Sequence, residues 1–184
     1  MTVYTRYIIN SMVVALAATM LFSCKNNFNE VQQIGVLQNA PIGEADTIHL
    51  KHTDSSKLIA DLKSPKMFDY SNRPFGYSEF PKGIELTIFD KEGNPSKIFA
   101  DYAISYLNTD LIDLRGNVLL ATYTKDSLFT TQMYYDQKNE WVFTNEDYRL
   151  KKGYTDISGR GFDSSRNFKT YEMHEPSGPI EFNN

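Results

Sequence analysis

From Lys57 onward apolar and polar residues alternate with a period of two, the spacing of half-buried strands rather than of helices. Ile84, Leu86 and Ile88 share one face, with Glu85 and Thr87 on the other, and Asp90 to Pro95 has turn chemistry. Ile98, Ala100, Tyr102, Ile104 and Tyr106 then form one stripe opposite Lys97, Asp101 and Ser105. After a turn at Asn108–Asp110, Ile112, Leu114, Val118 and Leu120 return opposite Asp113, Arg115 and Asn117. A second turn at Lys125–Ser127 leads to Phe129, Met133 and Tyr135, alternating with Thr130 and Gln132. The segment DQKNE is a further hairpin tip before Trp141 and Phe143. One stretch, KLIADLKSP, allows a short helix that Pro65 would stop.

The pattern repeats. Shifted by about 29 residues, Tyr106–Val118 falls on Tyr135–Asp147, and Leu128, Met133 and Tyr135 fall on Ile157, Phe162 and Ser164. Strand–turn–strand units of similar length with no long helix predict an all-β chain: a sandwich, barrel or jellyroll.

The N-terminus has another character. Arg6 leads an apolar run from about Ile8 to Phe22, too short to span a bilayer comfortably, and Ser23 supplies the small residue of a cleavage site. The only cysteine, Cys24, follows directly. Leu21-Phe22-Ser23-Cys24 resembles the lipobox of bacterial lipoproteins, which implies acylation of the Cys24 thiol. The segmentation read from this is a lipoprotein signal at 1–23, a lipidated N-terminus and Asn/Gln/Gly-rich tether at 24–45, a β domain at 46–175 and a tail at 176–184.

Composition narrows the function classes. The formal charge is −4, about −5 once the signal and its Arg6 are removed, and no Lys/Arg cluster favours nucleic acid. A lone cysteine forms no intramolecular disulfide, so 12 Tyr, 12 Phe and one Trp must help to build the core. His49 and His52, three apart on a strand, point to opposite faces, and His174 stands alone, so no metal or cofactor is expected. In SGRGFDSS (Ser158–Ser165) no Gly-Lys-Ser/Thr follows, so Gly159 and Gly161 read as marks of a bulge or close approach. No nucleophile elbow or spaced carboxylate pair supports an enzyme.

The run YSEFPKGIELTIFDKEGNPSKIFADYAISY, the return LRGNVLLAT, the segment LFTTQMYYDQKNEWVFTN and ISGRGFDS resemble the LptC-type periplasmic component of the lipopolysaccharide export ABC transporter, within the OstA/LptA-like superfamily. The likeness covers about Leu58–Met173 and is greatest to a lipoprotein-anchored, Bacteroidetes-type form. It implies an open β-jellyroll, a V-shaped antiparallel sandwich whose apolar groove carries the acyl chains of lipopolysaccharide. The candidate groove residues are Leu86, Ile88, Tyr102, Ile104, Tyr106, Ile112, Leu114, Phe129, Met133 and Tyr135, although the same alternation would also build a sealed core. The implied partners are lipopolysaccharide, the inner-membrane export transporter, an LptA-like periplasmic bridge protein, and the membrane through a lipid anchor. Ile157, Phe162, Phe168 and Tyr171 are placed near the outgoing edge toward the bridge, so deleting Asp156–Asn184 is expected to abolish bridge assembly.

The implied role is a non-catalytic relay at the periplasmic face of the inner membrane. Better-known members carry an uncleaved transmembrane helix where this chain has its lipobox. The competing readings are a structural or adhesive envelope lipoprotein with a closed sandwich, and a lipid or glycan hydrolase.

Overall fold

A computed structural model describes Tyr4, Tyr7 and residues 40–177. The chain divides into two compact units, Met1–Ala40 and Pro41–Asn184. The second contains eleven strands: β1 (Gly43–Asp54), β2 (Lys57–Asp69), β3 (Tyr77–Phe80), β4 (Ile84–Phe89), β5 (Pro95–Ala100), β6 (Tyr102–Tyr106), β7 (Leu111–Ala121), β8 (Ser127–Asp136), β9 (Trp141–Lys152), β10 (Thr155–Ser165) and β11 (Tyr171–Ser177). Every pairing is antiparallel, in the order β11-β10-β9-β8-β7-β5-β4-β2-β3-β6, with β1 added to β2 and β6 pairing back to β7. This is the all-β antiparallel architecture expected from the alternation, and it is consistent with the jellyroll that the resemblance implies.

The helix allowed by KLIADLKSP does not form; those residues lie in β2. Propensity yields here to pairing on both sides. Pro65 sits where β2 ends its pairing with β4 (Ala60–Lys63) and before it meets β3 (Phe68–Asp69). A residue without an N–H is tolerated in that gap. Ser64 Oγ donates to the Gly83 carbonyl at 2.7 Å and ties the gap to the turn before β4. β7 is shared in the same manner, its first half with β6 and its second with β5. Two long strands, each serving two partners, close β7-β5-β4-β2-β3-β6 into a ring.

A line of irregularities crosses the sheet and bends it. Buried side chains on a regular strand fall an even number of residues apart. Ala100 and Ala103, Thr130 and Met133, and Gly159 and Phe162 are each three apart, yet all are buried. The register shifts between Thr130 and Tyr134 and between Arg160 and Phe162. An extra residue in one strand kinks it and increases its twist. The three sites follow one another at the period of the sequence repeat, so the repeat extends to the bulge within each unit. Gly116 (φ 88°) and Gly161 (φ 74°) supply backbone conformations that side chains rarely adopt. A Cβ on Gly116 would lie 2.6 Å from Asp101 Cβ, where Asp101 Oδ2 accepts hydrogen bonds from Asn117 N and Nδ2.

The bend encloses one core. Leu114, Leu120, Leu128, Met133, Leu150 and Phe162 are essentially without solvent contact. At one end Phe162 packs its ring against Tyr148, Phe168 and Tyr171.

Candidate apolar cleft

The bulges decide which candidate residues meet. Leu86, Ile88, Ile112, Leu114, Met133 and Tyr135 all face the interior. Tyr102, Ile104 and Tyr106 do not join them. The strand breaks at Asp101, so Ala103 and Ser105 lie opposite Leu114 and Ile112, while Ile104 lies opposite Asp113. The stripe expected from Ile98 to Tyr106 therefore changes face at Asp101. Phe129 also points outward, 39% exposed, because the register shift between Thr130 and Tyr134 separates its parity from that of Met133.

On the outer face Asp113, expected to be exposed, is only 2% exposed. Its carboxylate accepts from Arg115 Nε at 3.0 Å and Nη2 at 2.5 Å, and from Gln132 Nε2 at 2.9 Å. Three ionised or polar groups satisfying one another explain a buried charge at a position that alternation assigns to solvent. Nearby, burial and the Glu79 carboxylate, 2.7 Å from its hydroxyl, push the Tyr102 phenol far up.

The partner-edge candidates also separate. Ile157, Phe162 and Phe168 are buried core residues, and only Tyr171 is exposed. Among the described residues β10 is covered by β11, which is the free edge on that side, and β1 is the free edge on the other. Pro176 lies inside β11, opposite Gly159, where an edge strand accommodates it. Each edge strand is tied inward by a histidine: His49 Nε2 to Asp61 and His174 Nε2 to Asp163, both at 2.7 Å. Among the described residues no cluster of His, Cys, Asp and Glu is arranged to hold a metal. Cys24 and its lipobox lie outside the described residues.

The interior opens at one end into a cleft of about 950 Å³. One jaw is made by the β1–β2 and β4–β5 hairpin ends and presents Leu58, Ala60, Leu86 and Ile88. The other is made by the ends of β8 and β10 and presents Tyr135 and Arg166. Carboxylates and lysines line the rim: Asp54, Lys57 and Asp90 on the first jaw, Asp110, Lys138 and Glu140 on the second. Backbone bonds from Gln137 N to Asp110 O and from Arg166 N to Glu140 O fix the second jaw. Burial pushes the Tyr135 phenol up, with the Arg166 guanidinium acting against that shift. Against the cost of burial, Asn94, two backbone N–H groups and the Arg166 charge hold Asp90 below its ordinary value.

An apolar floor with a charged rim suits an amphiphile, whose chains leave water while its head remains in it. Leu86, Ile88 and Tyr135 of this wall were legible from the sequence. Leu58 and Ala60 were hidden in the segment that resembled a helix. Arg166 follows the last residue of a strand, where periodicity gives no signal.

A family model described as lipopolysaccharide-assembly, LptC-related, matches residues 12–175. No curated protein matches the chain.

Proposed function

The chain belongs to the LptC-related family of lipopolysaccharide-assembly proteins, and from that premise we propose that it is a membrane-tethered relay. It takes lipopolysaccharide from the inner-membrane export transporter and passes it to an LptA-like bridge protein. The family is involved in lipopolysaccharide transport and is a transport component rather than an enzyme. The observation that carries the finer reading is the apolar interior opening at one end beneath Leu58, Ala60, Leu86 and Ile88. Each Å² of acyl chain taken from water there is worth roughly 25 cal/mol. The energy for movement comes from the transporter's ATPase.

The free edges of β1 and β11 supply the docking chemistry. Main-chain pairing gives affinity and alternate side chains give specificity. In this reading β11 meets the bridge protein and the opposite end meets the transporter. Tethering is assigned to an acylated Cys24, with two or more chains needed for stable anchoring. Among the described residues no helix is long and apolar enough to cross a membrane.

The test is photocrosslinking in the native bacterium, with probes at Leu58 and Ile88 in the cleft and at outward-facing Tyr106. Lipopolysaccharide adducts at the two cleft positions only, lost on ATP depletion, are expected. A folded, acylated protein giving no adduct at either cleft position would turn the reading toward a structural lipoprotein with a sealed interior.

A further inference from the structure

The most unusual charge in the second jaw is Arg166. Its side chain is 9% exposed, and it sits at the point where the apolar wall meets the rim. Lysines elsewhere on the rim have flexible stems and strongly hydrated heads. Arg166 instead follows β10 directly and is held by its own backbone bond to Glu140. Its Nη2 lies 3.2 Å from Glu140 Oε1, and that glutamate side chain is 51% exposed. A guanidinium carries five N–H donors in a planar fork, so the Glu140 carboxylate and the Tyr135 hydroxyl engage only part of its capacity, and the side chain lines the cleft. On the far jaw its charge also acts on Asp90.

We propose that Arg166 is an anion subsite at the cleft mouth, taking the phosphate monoester head of an amphiphile whose chains lie along Leu58, Ala60, Leu86 and Ile88. The proposal rests on the acyl-binding reading of the same cleft. Glu140 is the resident anion and the ligand replaces it. A ligand carboxylate would exchange like for like, with no gain in charge. A phosphate monoester carries about −1.5 to −2 charge near pH 7 and three acceptor oxygens, and the arginine fork can bind two of them at once. Glu140, being half exposed, can swing into water as it leaves. The mixed rim is compatible with this. Lys57, Lys91 and Lys138 are interspersed with acids, so the selectivity comes from one fixed, buried donor rather than from a general positive field.

The only tryptophan, Trp141, adjoins Glu140 and pairs with Asp136 and Ser165, so its fluorescence reports on this jaw. The full chain in an uncharged detergent is titrated with a single-chain lysophosphatidic acid, with the monoacylglycerol of the same chain, and with inorganic phosphate. The phosphorylated amphiphile is expected to bind at least about tenfold more tightly than its neutral counterpart, a difference of about 1.4 kcal/mol. Arg166→Gln should bring the two amphiphiles to equal affinity. Glu140→Gln, which removes the competing anion from an exposed position, should tighten binding of the phosphorylated amphiphile. Equal binding of the two amphiphiles by the wild type would overturn the subsite while leaving the acyl-binding cleft standing. So would a Glu140→Gln variant that binds no better, a test that remains available if Arg166→Gln does not fold. Inorganic phosphate binding as tightly as the amphiphile would identify a free-phosphate site and overturn the headgroup assignment. Binding of neither amphiphile would overturn both the subsite and the cleft reading beneath it.

Discussion

The two ends of the interior follow the same alternation and have different fates. Around Phe162 the interior is closed: Tyr148, Tyr171 and, from the β10–β11 turn, Phe168 cover its ring. Around Ile88 the inward residues of β4 and the start of β2 line an open cleft together with the ends of β8 and β10. An apolar stripe therefore specifies that a surface avoids water without specifying what covers it. The cover is set by the bend in the sheet, and the bend is set by bulges.

The largest expected contrast is between wall and core. Phe162→Ala should cost about 3–5 kcal/mol, since it removes a ring from a site closed on all sides. Leu58→Ala, at the partly exposed mouth, should cost under about 1.5 kcal/mol but should weaken acyl-chain capture. Urea midpoints measure the first quantity and monoacylglycerol titration the second. Equal stability losses at the two sites would mean that the cleft wall is ordinary core. Deleting Asp156–Asn184 is a poor test of bridge docking for the same reason: it would remove Phe162 and Phe168 along with the edge.

The bend itself comes next. Gly116→Ala places a Cβ 2.6 Å from Asp101 Cβ at a residue with φ 88°. The combined strain and displacement should cost about 1–3 kcal/mol and disturb the turn of chain at Asp101. A thermal midpoint within a degree of the wild type would show that the fold line tolerates a side chain there. The outer face offers a smaller test. Asp113→Ala leaves Arg115 and Gln132 without their acceptor, but Arg115 is half exposed and can turn to water. About 1–2 kcal/mol is expected from denaturant unfolding.

These contrasts explain what was legible. The antiparallel all-β architecture, the hairpin turns and the inward set of Leu86, Ile88, Ile112, Leu114, Met133 and Tyr135 follow from period-two alternation. Tyr102, Ile104, Tyr106 and Phe129 were assigned to the wrong face because alternation cannot count an extra residue. Each lies beyond an Asp101-type break or a bulge when read from its neighbours, and one inserted residue reverses every side chain after it. Asp113 misled for a different reason: a carboxylate at a polar position gives no sign that Arg115 and Gln132 will satisfy it. The short-helix option at KLIADLKSP failed because pairing to β1, β3 and β4 outweighs a marginal local preference.

The smallest effect is expected at the β1 edge and concerns acid. The Asp61 carboxyl lies below its ordinary value of 3.8, chiefly through the hydrogen bond from His49, with the His49, Lys63 and Lys51 charges adding to it and burial opposing it. A carboxyl whose value is lower folded than unfolded contributes stability above its unfolded value and loses it as pH falls through the folded one. β1 should therefore loosen from β2 as the pH falls. Amide hydrogen exchange, corrected for the intrinsic pH dependence, should show protection in β1 falling below about pH 4, more steeply than in β8 and β9. Asp61→Asn should flatten that dependence and leave β1 equally mobile across the range. The group is at the surface and screened by salt, so raising the ionic strength should shrink the effect. A β1 whose protection tracks β8 and β9 at every pH would show that the edge strand opens only with the whole sheet, leaving no independent latch at the end assigned to the transporter.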